Sequence, residues 1–341
     1  MVITDLEYVA KALVSDGKGI LSVDEPPETL GKRFIALRIA SSAASRREYR
    51  EMLFTAPQMA RFISGVIVHE ETLQQKNSMG TPLTTLLTQH SILAGVKADT
   101  GAKRLAGSFG ETVTEGLDGL RDRLRAYRQL GVSFATWRGV YRIEDALPSA
   151  TCLYVNAHAF ARFAALAQEE NVLPLLEVDV QMDGLHTIER CEQVTGDALE
   201  TTFDELYKQR VNLGAILVAA NMVVPGKDCP RQASINETAN ATVRCFRRIV
   251  PLIVPGIALL CGRQSHLAGT ILLNAINKLH DPKPWKLTFS FGRALQDEAL
   301  QVWLGNREYV EAGQSAFLHR ARCVSAAAMG RYEATMEQAA A

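Results

Sequence analysis

Residues that can move protons or carry charge stand at the ends of several short apolar runs in this chain. Asp24 follows the run 20–23, Lys97 follows 91–96 and Glu177 follows 172–176. Carboxylates and amines of this kind act as general acids, general bases and nucleophiles. The run 213–224 differs, because it has no ionisable side chain. We therefore predict that several strand ends supply chemistry and that this one supplies none.

Eight apolar runs alternate with helical patterns, and these elements must position the side chains. The runs cover 20–25, 63–71, 91–99, 132–141, 172–179, 214–221, 257–262 and 287–293. Eight alternations predict an α/β fold, a (β/α)8 TIM barrel, in which chemistry lies at the carboxyl ends of the strands. A doubly wound open sheet needs a Gly-rich turn after its first strand, whereas Gly17 and Gly19 precede that strand.

Composition indicates a globular protein without an electrostatic bias. The 341 residues include 37 Lys or Arg and 37 Asp or Glu, so no net charge attracts nucleic acid or an anionic membrane. The longest apolar tract, 249–261, is shorter than a membrane-spanning helix and contains prolines. The six cysteines form no C-x-x-C motif, which is typical of reduced thiols. We predict one domain over 1–341, with a helical tail at about 297–341, in the cytoplasm.

Seven phrases of the sequence resemble the class I fructose-bisphosphate aldolases. They occupy 17–25, 105–112, 115–120, 134–138, 221–226, 273–278 and 284–295. The resemblance implies a barrel over nearly the whole chain. It also implies a mechanism in which a lysine forms a Schiff base with a ketose phosphate, and the iminium accepts electrons during carbon–carbon cleavage. It implies no metal and no other cofactor, a small phosphorylated or carbonyl ligand, and a homo-oligomer such as a tetramer.

The family's Schiff-base lysine is replaced in this chain. In the family it stands two residues before an Asn-Met pair, and that position is Ala219 here, whose methyl group cannot form an imine. A second family lysine corresponds to Thr136, which carries no charge. Pro26 and Cys261 replace serines near the two phosphate groups, and Arg263 replaces a glycine. For the run 213–224 we therefore predict a larger, less positive pocket lined by Val218, Ala219 and Asn221.

Most other site positions keep the residue types of the family, and the two sets below also include the replacements Thr136 and Cys261 at their family positions. The resemblance implies a catalytic set made of Asp24, Lys97, Thr136, Arg138 and Glu177, with Asp179 at a nearby glutamate position. It implies a phosphate-binding set made of Lys32, Arg33, Cys261, Gly262, Ser290, Gly292 and Arg293. Backbone amides and guanidinium groups suit phosphate oxygens, because both present N–H donors in fixed directions.

Metal binding has weaker support in the sequence. His69 is followed by Glu70 and Glu71, but no second histidine stands at the spacing of a helical zinc motif. We expect a hydrogen-bonded rim at this place. Asp99 and Asp179 remain a less favoured pair of carboxylate ligands.

Three functional hypotheses stay open. The first is a divergent enzyme that uses acid–base chemistry on a small phosphorylated or carbonyl substrate. The second is a non-catalytic homologue that binds a sugar phosphate or a protein partner, and the third is a lyase whose imine has moved to Lys97. Two lysines are absent while Asp24 and Glu177 remain, so we expect a raised pKa for at least one carboxyl.

Overall fold

Eight parallel strands form a closed barrel in the structure, a computed structural model that describes residues 4–262 and 264–340. With two further strands outside the barrel, the strands in chain order are β1 (Gly19–Val23), β2 (Ile63–Val68), β3 (Leu93–Lys97), β4 (Gly101–Arg104), β5 (Thr112–Glu115), β6 (Phe134–Tyr141), β7 (Leu173–Val180), β8 (Leu217–Asn221), β9 (Gly256–Leu260) and β10 (Lys286–Phe291). The order around the barrel is β1-β10-β9-β8-β7-β6-β3-β2, while β4 and β5 form a separate antiparallel pair. The predicted (β/α)8 barrel is confirmed.

Helices connect the strands on the outside of the barrel. They are α1 (Thr4–Leu13), α2 (Pro27–Ala36), α3 (Ala43–Phe54), α4 (Glu70–Leu73), α5 (Leu83–Gln89), α6 (Leu120–Gln129), α7 (Ala150–Glu169), α8 (Ile188–Lys208), α9 (Ile235–Ile249), α10 (His266–Lys278), α11 (Arg293–Trp303) and α12 (Val310–Ala328). Ser or Thr residues cap α3, α7, α8, α9 and α10, because each side-chain oxygen accepts a hydrogen bond from a backbone N–H of the first turn. Among the described residues, no helix combines the length and apolar character needed to cross a membrane.

The barrel has an inner and an outer apolar layer. Side chains that face inward, such as Ile67, Phe134 and Leu175, form one buried cluster that includes Ala219. Helix α1 and the residue after it close the amino-terminal end of this cluster; α1 contributes Leu6, Ala10 and Leu13, and Val14 follows it. Because side chains alternate along a strand, the residues between them point outward into the larger cluster beneath the helices. The carboxyl ends of the strands therefore lie above an apolar interior.

The structure differs from the sequence prediction mainly in polar segments. The β4–β5 hairpin was not predicted, because its short strands are largely exposed and lack an apolar alternation. Helix α8 begins at Ile188, and Thr187 caps it by accepting a hydrogen bond from the backbone N–H of Arg190. The C-terminal part contains α11 and α12, followed by a 3-10 segment, Ala334–Ala340.

Glu71 joins α3 to the segment that follows β2. It accepts hydrogen bonds from the Arg46 Nε atom at 3.0 Å and from the Nη1 atom of the fully buried Arg50 at 2.7 Å. His69 belongs to the same rim, where its Nδ1 atom accepts the backbone N–H of Glu71 at 3.2 Å and caps α4. Burial acts to raise the pKa of Glu71, but the two arginines outweigh it and lower that pKa to about 2.

We expect Glu71→Gln to lower the free energy of unfolding by about 3 kcal/mol at pH 7, because Arg50 then keeps a buried charge without its carboxylate. A depressed folded-state pKa stabilises the fold above the unfolded value near 4.5, and this contribution disappears as the pH falls towards 2. The gap between wild type and variant should therefore close over that window in urea unfolding curves. Glu169→Gln, which removes an exposed pair with Arg121, serves as the control, and its free energy of unfolding should change much less, because solvent screens the pair. An equal gap at pH 7 and pH 3 would contradict the assignment.

Candidate active site

Neighbouring strands bring the predicted catalytic residues to one end of the barrel. In the parallel register Lys97 of β3 pairs with Thr136 of β6, and Arg138 of β6 pairs with Glu177 of β7. Glu177 in turn pairs with Ala219 of β8. Residues two apart on one strand share a face, so Thr136 and Arg138 follow the inward-facing Phe134. Four adjacent strands thus meet at this place.

Each cation at these strand ends has its own carboxylate partner. The Lys97 Nζ atom lies 2.8 Å from the Asp99 Oδ1 atom, which also accepts the backbone N–H of Gly101 at 2.9 Å. The Arg138 Nε atom donates to the Asp179 Oδ2 atom at 2.9 Å, and its Nη2 atom contacts the same oxygen. Asp99 and Asp179 are therefore ion-pair partners, a role that the sequence interpretation missed. The two-residue spacing between Lys97, the last residue of β3, and Asp99 was the available signal.

Among the described carboxyl groups at these strand ends, that of Glu177 is buried without a hydrogen-bond partner. Its side chain is 8% exposed, and none of the hydrogen bonds found among residues 4–262 and 264–340 involves its carboxyl group. Burial raises its pKa first and the charge of Asp24 raises it further, while Arg138 and Lys97 act in the opposite direction. The resulting pKa is about 7. This is the raised carboxyl pKa expected from the sequence, and it allows both protonation states near neutral pH.

Asp24 lies just beyond the end of β1 and is half-buried. The Ser22 Oγ atom donates a hydrogen bond to its Oδ1 atom. Its charge is among those that act on both Glu177 and Lys97, which places it at the same end of the barrel. Sequence reasoning did not identify Ser22, although it precedes Asp24 by two residues on the same strand face.

The predicted phosphate-binding residues divide into two groups. Ser290, one residue before the end of β10, pairs with Leu260 of β9, and Gly292 occupies the N-cap position of α11. Gly262 has φ +57°, and a Cβ atom there would lie 2.8 Å from the Met182 Sδ atom, so this turn requires glycine. Cys261 is buried with its Sγ atom 3.7 Å from the Gln264 carbonyl oxygen, and burial raises the pKa of the thiol to about 12. Arg263 lies outside the described residues.

The second group is held by acidic side chains. Arg33 donates to the Asp297 Oδ1 atom at 2.6 Å and also contacts Glu25. The Arg293 Nε atom lies 3.1 Å from the other oxygen of Glu25, while most of the Arg293 side chain is exposed. Lys32 is also exposed. Glu25 therefore links the two arginines across the start of α2, where Pro26 occupies the N-cap position without a side-chain hydrogen bond.

Ala219 is fully buried in the inner apolar cluster, between Glu177 on one neighbouring strand and Ala258 on the other. The prediction that Val218 lines the same pocket was wrong. Val218 belongs to the outer cluster, because adjacent residues of a strand point to opposite faces. Asn221 is also buried, and its Oδ1 atom accepts the backbone N–H of Val180 at 2.9 Å. The strand end is therefore closed by packing and a hydrogen bond.

Comparisons with known proteins agree with this geometry. The family model described as "Glycolytic: Fructose-bisphosphate aldolase class-I" matches residues 5–341. A "Probable fructose-bisphosphate aldolase class 1" of Xylella fastidiosa (strain 9a5c) is 44% identical over 335 residues, covering 98% of this chain and 100% of the relative. "Fructose-bisphosphate aldolase 4, cytosolic" of Arabidopsis thaliana is 42% identical over 334 residues, covering 97% of this chain and 85% of the relative.

A solved structure shows the same agreement in three dimensions. The fructose-bisphosphate aldolase of Plasmodium falciparum, in a ternary co-crystal with TRAP and a small molecule inhibitor, superposes with a TM-score of 0.95. It is 38% identical, and the match covers 97% of this chain and 96% of that one. Given this likeness in sequence and structure over nearly the full length, the chain belongs to the class I fructose-bisphosphate aldolase family.

Proposed function

We propose that this chain is a divergent enzyme of its family. It acts by acid–base chemistry on a small phosphorylated or carbonyl-bearing ligand, and it does not catalyse the standard imine-dependent cleavage of fructose 1,6-bisphosphate. The observation that carries the proposal is Glu177, a buried carboxyl with a pKa of about 7 that lies next to Ala219. A carboxyl with such a pKa transfers protons at neutral pH, whereas the methyl group of Ala219 cannot form an imine.

The arrangement suits removal of a proton from the carbon beside a carbonyl group. In the ionised form Glu177 takes that proton, the electrons of the C–H bond form the enolate double bond, and the carbonyl electron pair moves onto oxygen. The ammonium group of Lys97 and the guanidinium group of Arg138 both act electrostatically on Glu177, and they stabilise the developing negative charge. Protonated Glu177 then returns its proton to carbon or oxygen. A pKa near the working pH is the value that general acid–base catalysis requires.

Lys97 acts in this proposal as a fixed charge. A lysine nucleophile needs a neutral amine. Burial acts to lower the pKa of Lys97, but the charges of Asp99 and Asp24 outweigh burial, and the pKa is raised above its ordinary value. The ammonium form is therefore held by the ion pair at 2.8 Å. This contact opposes the hypothesis that the imine has moved to Lys97.

Borohydride trapping tests the position of the amine. We expect incubation with a ketose phosphate and borohydride to leave Lys97 unmodified in peptide mapping by mass spectrometry, since its amine stays protonated. One of the fructose-bisphosphate aldolase relatives, treated in parallel, provides the positive control. A label on Lys97 would overturn the charge assignment and support the moved imine.

Phosphate recognition is proposed for the junction of β10 and α11. Its support comes from Gly292 at the start of a helix, the Ser290 hydroxyl beside it and the exposed guanidinium of Arg293. We expect Arg293→Ala to weaken the binding of a ketose phosphate by about 10-fold in calorimetry, because a charge-assisted hydrogen bond is lost. Arg247→Ala is the matched control, since Arg247 of α9 forms a comparable exposed pair with Asp281. Equal losses in both variants would exclude a specific site.

A second candidate function is ligand binding without turnover. Ala219 favours it, because its methyl group cannot form the family's imine, while Gly292 and Arg293 remain at the proposed phosphate position. Calorimetry together with a panel of sugar phosphates and small carbonyl compounds separates the two functions. Binding without conversion of any member supports the second, while turnover that depends on Glu177 excludes it.

The remaining features of the proposal concern organisation. We propose one domain over 1–341 that assembles as a homo-oligomer, with the tetramer as the family's common form, and that binds neither nucleic acid nor membranes. A cytoplasmic location is supported by relatives named "cytosolic" in Arabidopsis thaliana and "cytoplasmic isozyme" in Cicer arietinum. No metal or other cofactor enters the proposed acid–base step.

A further inference from the structure

Three side chains with metal-binding atoms meet at the carboxyl end of the chain, far along the sequence from the strand-end residues. His319 and Cys323 stand one helical turn apart on α12, so both project from the same side of the helix. The 3-10 segment Ala334–Ala340 then places Glu337 beside them. We call His319, Cys323 and Glu337 the tail cluster.

The distances within the tail cluster are close to those of a metal site. The Cys323 Sγ atom lies 3.9 Å from the His319 Nε2 atom, which lies 3.8 Å from the Glu337 Oε2 atom. All three ligand atoms lie within 4.8 Å of one another. Tetrahedral zinc, with bonds of about 2.0–2.3 Å, holds such atoms about 3.3–3.6 Å apart. Small side-chain movements are therefore enough to bring the three atoms onto one ion.

The surroundings orient the carboxylate of the tail cluster. The Tyr332 hydroxyl donates to the Glu337 Oε1 atom at 2.9 Å, and the buried Arg320 donates to the Oε2 atom. Hydrogen bonds of this kind to a ligating carboxylate are the usual second layer of a metal site. The Cys323 residue is fully buried, whereas the Glu337 side chain is 26% exposed, so an ion can enter from the Glu337 side.

We propose that the tail cluster binds a zinc-like divalent cation through the Cys323 sulfur, the His319 Nε2 atom and a Glu337 carboxylate oxygen. A sulfur, an imidazole and a carboxylate select Zn2+ or Co2+ over Mg2+ and Ca2+, which prefer oxygen ligands. A water molecule supplies the fourth ligand. When the sulfur–metal bond forms, the thiol proton passes to solvent, and no other reactant is needed.

Two charges influence how tightly the ion is held. The carboxylate of Glu337 attracts a cation. Arg320 shares the Glu337 Oε2 atom, and its positive charge opposes a nearby cation. The bound ion connects the 3-10 segment to α12, which makes the docking of this segment sensitive to the metal.

Cobalt titration of the full chain tests the proposal. We expect Co2+ to produce a near-ultraviolet thiolate-to-cobalt charge-transfer band in the wild type, with the band lost in Cys323→Ser. Cys245→Ser is the matched control, because Cys245 is equally buried but lies on α9. Tyr332→Phe should bind Co2+ about 10-fold more weakly, since a hydrogen bond to the ligating carboxylate is removed.

Thermal unfolding provides a second readout. Saturating Zn2+ should raise the Tm of the wild type by roughly 3 °C relative to a chelator control, and it should leave Cys323→Ser and His319→Gln unchanged. Circular dichroism in the presence of chelator verifies that each variant folds, and His319→Gln carries the test if Cys323→Ser does not fold. The absence of a charge-transfer band in the wild type overturns the proposal. A band of equal strength in Cys323→Ser does so as well.

Discussion

Glu177→Gln is expected to lower any acid–base turnover by about 100-fold to 10,000-fold, and to stabilise the fold at the same time. Glutamine preserves the size of the side chain but cannot ionise, so proton transfer is lost. A residue that served only packing would show the reverse pattern. The two effects together therefore distinguish a catalytic carboxyl from a structural one.

The expected gain in stability follows from the direction of the pKa shift. The pKa of Glu177 rises from about 4.5 to about 7 on folding. Below pH 4.5 the carboxyl is protonated in both folded and unfolded chains, so it has no effect on stability through its charge. Between pH 4.5 and pH 7 the unfolded chain releases the proton first, and the wild type loses up to about 3 kcal/mol of stability. Glutamine removes this loss, so the variant gains most above pH 7.

Urea unfolding at pH 5 and pH 8, combined with assays on a panel of sugar phosphates and carbonyl compounds, measures both effects. Glu192→Gln is the control, because Glu192 is also buried but its Oε1 atom accepts a hydrogen bond from Arg244 at 2.9 Å. This control should lose stability and keep its turnover. Loss of stability at pH 8 in Glu177→Gln, with turnover unchanged, would show that Glu177 is not the acid–base group.

Ala219→Lys is expected to give no measurable cleavage of fructose 1,6-bisphosphate and to destabilise the fold. Ala219 is fully buried among apolar side chains, so a lysine there overfills the inner cluster at a cost of about 1–3 kcal/mol. The new amine also lacks the charged neighbour that Thr136 replaces and the serine that Pro26 replaces. One substitution therefore restores the nucleophile position without the rest of the site.

A stepwise series measures this second effect. Borohydride trapping and a cleavage assay are applied to Ala219→Lys alone, and then to the triple variant that adds Thr136→Lys and Pro26→Ser. We expect imine formation and cleavage only in the triple variant, at a rate below that of the fructose-bisphosphate aldolase relatives. Ordinary aldolase activity in Ala219→Lys alone would show that only one position of the site has changed.

The barrel could be predicted from the sequence because its strands are continuous apolar runs that end in polar residues. The hairpin at β4 and β5 lacks that pattern, since β4 is mostly exposed and Thr114 is the one buried residue of β5. The error at Val218 arose from the strand's alternation, because one residue of displacement moves a side chain from the inner layer to the outer one. Residues 217–220 are apolar on both faces, so this alternation follows from strand geometry and not from a pattern in the sequence.

The charge arrangement around the site was harder to predict. Arg33 pairs with Asp297, 264 residues further along the chain, and no local pattern connects the two. The pairing of Lys97 with Asp99 was accessible, because the sequence places Asp99 two residues after Lys97, the last residue of β3. The pKa of Glu177 followed in direction from the loss of two lysines, but its value depends on burial and on the distances to Asp24, Arg138 and Lys97.

The inner apolar cluster, closed at one end by α1, has a consequence for proton transfer. The side chains of the inner cluster from Leu13 through Ile67 to Ala219 are apolar and cannot carry a proton. A proton accepted by Glu177 therefore leaves through the face by which the ligand enters. When a ligand covers that face, the proton cannot pass to solvent and stays with Glu177 or the ligand. In the proposed acid–base mechanism, an apolar interior favours return of the proton to the molecule that supplied it.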